Sequence, residues 1–176
     1  MKIAPDNQRF QDEGQYLHEF ADKFLIVCPK CAEQAEVLLA ENVAFTPANH
    51  LFLSRKLICS NCGYNRKKAS PKGGTSILFS NVKDAGGYVV IGGAFDWYFQ
   101  EPLWLQIECS GKTLWAYNAA HLEFIETYVA AKLRRRIPNK NSSLASRLPQ
   151  WMKSAKNRDE ILKAIGKLKA KAETRV

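Results

Sequence analysis

Cys28-Pro29-Lys30-Cys31 and Cys59-Ser60-Asn61-Cys62 stand in the N-terminal half of the chain with 27 residues between them. A Cys-x2-Cys turn presents two thiolates to one ion, and two such turns supply the four soft ligands of a tetrahedral zinc site with bonds of about 2.3 Å. The interval exceeds the roughly 15–20 residues commonest between such pairs, so it has to carry structure of its own. Residues 33–39 and 51–58 read as two strands joined by a polar stretch with Pro47, Asn49 and His50, and Phe24-Leu25-Ile26-Val27 runs into the first pair as a third.

Together these features describe a zinc ribbon holding one structural Zn2+ on Cys28, Cys31, Cys59 and Cys62. A thioredoxin-like redox pair is the competing reading of one Cys-x2-Cys, but two pairs with strands between them and no βαβ pattern favour metal. With every coordination position taken by a thiolate, water and substrate have no place on the ion. His50 enters as a ligand only by displacing a cysteine. Gly63 after Cys62 suits the left-handed residue that ends such a turn, whereas Ala32 after Cys31 does not, at a cost of about 1–2 kcal/mol. Either the first turn is shaped differently or metal binding offsets the strain.

Outward from the ribbon, the chain of 176 residues has material for a further core. It contains no apolar run long enough to span a bilayer and no apolar leader. Its five cysteines, four of them in the two pairs, suit a reducing compartment rather than a disulfide framework. The expectation is a cytoplasmic protein without a membrane partner. Residues 5–23, with Phe10, Leu17, Phe20 and Phe24 at rough helical spacing, read as a short helix or arm. Ser70-Pro71-Lys72-Gly73-Gly74 is a turn cluster closing the ribbon. After it come strands around 77–79, 88–91, 103–109 and 113–117, the last two joined by Ser110-Gly111-Lys112 as a three-residue hairpin loop. Gly86-Gly87 and Gly92-Gly93 read as tight turns, because neither forms a phosphate-binding motif. Asn118 caps a helix over 119–136, and Ser142 or Ser143 starts a second helix that restarts at Pro149. Asn157-x2-Glu160 is a variant capping box opening a third over 158–173. The fold class is therefore α+β: N-terminal zinc ribbon, small antiparallel β region, C-terminal basic helices. In segments this gives an arm over 1–23, the ribbon over 24–70, hairpins plus a helix over 71–136 and a basic helical tail over 137–176.

The net charge of +9 is unevenly spread: residues 1–131 sum to −2 and residues 132–176 to +11. Such a tail exceeds what solubility requires and repels itself without an anionic partner, of which nucleic acid is the commonest. The residues assigned to that contact are Arg55, Lys56, Arg66, Lys67 and Lys68 around the second cysteine pair, with Arg134, Arg135, Arg136, Lys153, Lys156, Arg158, Lys163 and Lys167 in the tail. An acidic protein surface is the other partner, and the basic residues beside the ribbon also serve to neutralise a zinc–tetrathiolate centre of formal charge −2. Phe95, Trp97, Tyr98 and Trp104 sit among acids rather than cations, so they read as core or as a protein-binding surface, not as a base-stacking platform. His18, His50 and His121 have no matching nucleophile, and no catalytic constellation emerges.

Beyond the cysteine pairs, Asp96-Trp97-Tyr98-Phe99, Leu103-Trp104-Leu105-Gln106, Leu114-Trp115-Ala116-Tyr117-Asn118, Ser143-Leu144-Ala145-Ser146-Arg147-Leu148-Pro149 and Lys153-Ser154-Ala155-Lys156-Asn157-Arg158-Asp159 extend the pattern over most of the chain. In these segments the chain resembles a family of small bacterial cytosolic proteins described as containing a transcription-factor-B-type zinc ribbon and sometimes labelled replication-restart helicase. The resemblance implies zinc at the four cysteines. The helicase label does not fit, since no nucleotide-binding loop or helicase motif is present. The leading expectation is a non-enzymatic zinc-ribbon protein that binds nucleic acid or a ribonucleoprotein through its basic C-terminal helical region, with the 54–72 patch. The alternative is an interaction adaptor, inhibitor or immunity-type protein using the aromatic 95–104 surface.

Overall fold

Around the two cysteine pairs Phe24 and Ile26, Ala35 and Val37, and Leu57 fall at alternate strand positions and give one face to bury, and the strands join into a single sheet. A computed structural model describes residues 9–41, 53–69, 77–78, 89–135 and 142–173. In chain order the elements are β1 (Arg9–Gln11), a 3-10 turn (Leu17–Phe20), β2 (Phe24–Val27), β3 (Gln34–Leu39), β4 (Arg55–Ile58), β5 (Asn65–Lys68), β6 (Ile77–Leu78), β7 (Val89–Val90), β8 (Leu105–Cys109) and β9 (Lys112–Ala116). There follow α1 (Ala119–Ala130), β10 (Leu133–Arg135), α2 (Leu144–Arg147), α3 (Gln150–Lys153), a 3-10 turn (Ala155–Asn157) and α4 (Arg158–Glu173). The fold is α+β, with antiparallel β2–β5 and β8–β9 sheets and C-terminal helices; β1–β10 and β6–β7 pair in parallel, so among the described residues the expected antiparallel hairpins after the ribbon reduce to β8–β9. No helix among the described residues is long and apolar enough to cross a membrane.

The ribbon sheet is antiparallel with the order β2-β3-β4-β5. Phe24, Val37, Leu57 and Arg66 share one row across it, and Leu38, Lys56 and Lys67 share another. Phe24, Ile26, Ala35, Val37, Arg55 and Leu57 are buried on one face, while Glu36, Leu38, Lys56 and Ile58 on the other keep contact with solvent. The outer edge of β2 is covered: Leu25 N–H donates to Tyr117 O at 2.7 Å, Val27 N–H to Pro102 O at 2.8 Å, and Trp104 N–H to Leu25 O at 2.9 Å. One hydrophobic core consequently runs from Phe24 and Leu57 through Trp97 and Leu103 to Leu122, Ile125, Ile161 and Ile165.

Several expected elements take other forms. Over the described part of the N-terminal arm, β1 and a 3-10 turn replace a helix, and β1 pairs in parallel with β10. The helix expected over 119–136 stops at Ala130, because Ala131 is extended and β10 takes the next residues into the pairing with β1. The basic exit from the ribbon is itself a strand, β5. The hairpin loop between β8 and β9 is two residues, with Ser110 and Gly111 both at positive φ (52° and 65°), as a type I′ turn requires.

The caps divide likewise. Asn118 caps α1 through Oδ1, which accepts from His121 N–H at 3.0 Å. Its Nδ2 donates to Phe20 O and Lys23 O, each at 2.8 Å. Ser143 caps α2, accepting from Ser146 N–H at 3.2 Å, and α3 begins after Pro149. The Asn157/Glu160 box does not close: Glu160 accepts from Ser110 N–H at 2.9 Å and Ser110 Oγ–H at 2.6 Å, tying the β8–β9 turn to α4. The polar stretch with Pro47, Asn49 and His50, the turn cluster at 70–74 and Gly86-Gly87 lie outside the described residues.

Candidate metal centre

Each cysteine pair sits in the turn between two adjacent strands of the ribbon sheet, and the two turns share one hydrogen-bond scheme. In the first, Ala32 N–H donates to Cys28 O at 2.9 Å and Cys28 N–H to Glu33 O at 2.7 Å. In the second, Gly63 N–H donates to Cys59 O at 3.0 Å and Cys59 N–H to Tyr64 O at 2.8 Å. Ala32 adopts φ 63° and Gly63 φ 71°. The two turns therefore have one shape, and Ala32 bears the strain that glycine avoids.

The scheme brings the four sulfurs together. Cys28 Sγ and Cys62 Sγ are 3.7 Å apart, Cys31 Sγ and Cys59 Sγ are 3.6 Å apart, and all four lie within 4.8 Å of one another. A tetrahedron with metal–sulfur bonds of about 2.3 Å has sulfurs about 3.8 Å apart. The cluster could hold a metal ion. Two hydrogen bonds support it from outside: Lys30 N–H donates to Cys28 Sγ at 3.4 Å, and Asn61 Nδ2–H to Cys31 Sγ at 3.5 Å.

The electrostatics of the bare cluster point the same way. The Asn61 amide, followed by the Glu33 backbone, draws the Cys31 thiol down to about 6. At Cys62 the Tyr64 backbone hydrogen bond also favours the thiolate, but burial and the other sulfurs outweigh it and push the thiol up to about 12. Four thiolates this close repel one another, so their joint ionisation requires a cation among them. Cys109 is separate: it is buried at the end of β8, and burial raises its thiol.

The basic residues assigned to an anionic partner fall into two groups. Arg55 is fully buried, donating to Asp22 O and Tyr98 Oη at 3.0 Å each, with its guanidinium 4.5 Å from the Tyr98 ring centroid. Lys68 donates to Tyr98 O. Arg134 donates to Tyr128 O, Val129 O and Lys153 O, and Arg158 to Val129 O and Ala131 O. Lys153 donates to Ser146 O at 2.7 Å. These five side chains are fixed by carbonyl or phenol oxygens, and Arg55 cannot reach a phosphate at all. Arg66, Lys67, Arg135, Lys156, Lys163 and Lys167 are exposed and Lys56 is partly so. Arg66 lies 5.6 Å from the Phe99 ring centroid. Arg136 is outside the described residues.

The aromatic cluster needs a similar correction. Trp97 and Tyr98 are core residues, packed against Phe24, and Trp97 Nε1–H donates to Tyr117 Oη at 2.7 Å. Neither is available as a docking surface. Their turn is held by Asp96, which is buried and accepts from the N–H groups of Tyr98, Phe99 and Glu101; burial raises its carboxyl despite those three donors. Phe95 keeps an exposed ring, and Trp104 is partly covered by Lys171, whose Nζ lies 4.0 Å from the ring centroid. Asn61 as a support for the cluster, and Arg55 as a core cation, had no distinctive signal in the sequence, since both types are common on surfaces.

No family model, curated protein or solved structure matches the chain.

Proposed function

We propose that the chain is a non-enzymatic zinc-ribbon protein that binds the backbone of nucleic acid through the open face of the ribbon sheet. Zinc is the metal that four thiolates at tetrahedral spacing suit best, and the resemblance to bacterial zinc-ribbon proteins agrees with it. In this reading the ion is structural, and its contribution is to fix the β2–β3 and β4–β5 turns so that the sheet presents a rigid surface.

The observation that carries the binding face is the pairing of Lys56 with Lys67. They stand directly opposite each other on β4 and β5. Among the described residues the ion pairs are Lys23–Glu36 and Lys169–Glu126, and neither Lys56 nor Lys67 has one. Like charges directly opposed on one face destabilise a sheet by up to about 1 kcal/mol. An anionic partner turns that cost into affinity. Lys163 and Lys167, exposed on α4, are further cations open to solvent. Contacts of this kind read charge and shape rather than base sequence.

The test is binding of a mixed-sequence duplex and of a single strand over a range of salt concentrations. Replacing both Lys56 and Lys67 by Gln should weaken binding and lower the slope of log affinity against log salt by about 2 for a duplex. Lys67→Glu alone should also raise stability by about 0.2–1 kcal/mol, by pairing with Lys56. An unchanged salt slope, or no binding at low salt, contradicts the reading.

A further inference from the structure

The helices and the β8–β9 hairpin line a cavity of about 490 Å³. That size is typical of a site for one small molecule. Its wall is mostly apolar, with Trp97, Trp115, Ile125, Leu144, Leu148 and Met152 contributing.

Two polar features distinguish the cavity from a packing defect. His121 lines it, and its Nδ1 accepts from Tyr117 N–H at 3.2 Å, so in the neutral ring the proton sits on Nε2. The ring is clamped between Phe20 and Trp115, and burial draws its pKa down to about 3, which keeps it a neutral donor at physiological pH. Arg147 also lines the cavity, is itself exposed, and has no side-chain hydrogen bond or ion pair among the described residues. The cavity is thus a mostly apolar chamber whose lining also carries His18, His121 and, as its cation, the exposed Arg147.

We propose that this cavity binds a medium-chain or aromatic monocarboxylate, its apolar body against the partly exposed Leu17, Ile91 and Trp115 and its carboxylate received by Arg147. An apolar body recovers the hydrophobic energy of the wall, and a carboxylate matches the planar fork of a guanidinium better than a neutral or cationic head does. The site is independent of the ribbon face and does not rest on nucleic-acid binding.

The experiment is calorimetric titration of the metal-loaded full chain with octanoate and, separately, with 1-octanol. Octanoate should bind at one site, about tenfold more tightly than octanol, since a charge-assisted hydrogen bond is worth that or more. Arg147→Gln should bring octanoate down to the affinity of octanol, and Leu148→Trp should abolish binding of both by filling the chamber. Should Leu148→Trp fail to fold by circular dichroism, Thr113→Trp closes the cavity from an exposed lining position. In the wild type, the imidazole Nε2–H resonance of His121 should shift with octanoate. Absence of saturable binding, equal affinity for octanoate and octanol, or octanoate affinity unaltered by Arg147→Gln or by the cavity-filling variant overturns the proposal.

Discussion

Ala32 holds at φ 63° the conformation that Gly63 holds at φ 71°, and the pair offers a direct measure of strain in the metal turns. A Cβ at Gly63 would meet nothing within 4 Å, so a substitution there changes only the backbone energy. The left-handed penalty of about 1–2 kcal/mol is partly offset by the unfolded-state entropy that glycine adds, about 0.4–1 kcal/mol. Gly63→Ala should therefore destabilise the metal-loaded protein by about 1 kcal/mol in urea, and Ala32→Gly should stabilise it by up to a similar amount. Equal stability of all three proteins would mean that the turns relax and store no strain. The four clustered cysteines were legible in the sequence because spacing alone pairs them, and Ala32 posed a question that only φ could answer. Arg55 was not legible: nothing in Ser54-Arg55-Lys56 separates a cation buried on Tyr98 from its solvent-facing neighbour, because period-two alternation gives opposite faces without saying which is inside.

At the scale of elements, the end of α1 shows where sequence periodicity runs out. Leu122, Ile125, Val129 and Leu133 continue a helical stripe, yet the helix ends at Ala130 and Leu133 is 58% exposed on β10. What stops it is tertiary: the guanidinium groups of Arg134 and Arg158 occupy the carbonyls of Tyr128, Val129 and Ala131, and β1 offers a strand partner. These arginines act as side-chain caps for the carbonyls that a helix C-terminus leaves unpaired. Arg134→Gln should cost about 2 kcal/mol or more, since hydrogen bonds to charged groups contribute about 1.5–3 kcal/mol, and should leave the salt slope of nucleic-acid binding unaltered. A variant with wild-type stability and a reduced slope would reverse the assignment. The positive tail was visible as a total, but its division into capping and free cations depends on contacts between residues far apart in the chain, such as Arg158 with Val129. Asn118 and Ser143 were legible as caps because that role is local.

For the whole molecule, the ribbon and the later helices share one core through the covered edge of β2, so local chemistry has global consequences. His121 is held at about 3 by burial, against an ordinary value of 6.5. Above pH 6.5 neither state is protonated there and the full stability is present. As pH falls below 6.5 the unfolded chain takes up a proton that the folded state refuses, and stability drops by up to about 1.4 kcal/mol per unit until about pH 3. His121→Asn should flatten that part of the urea-stability profile while leaving the separate acid loss that accompanies metal release; an unchanged slope would mean that His121 titrates in the folded protein. Metal removal should in turn lower the cooperative transition reported by buried Trp97, since binding energy at such a site is folding energy. The measurement that bears most directly on the account is X-ray absorption at the zinc edge of protein purified with zinc. The prediction is one zinc per chain with four sulfur neighbours at about 2.3 Å and no oxygen or nitrogen in the shell; a mixed shell, or zinc well below one per chain, would contradict it.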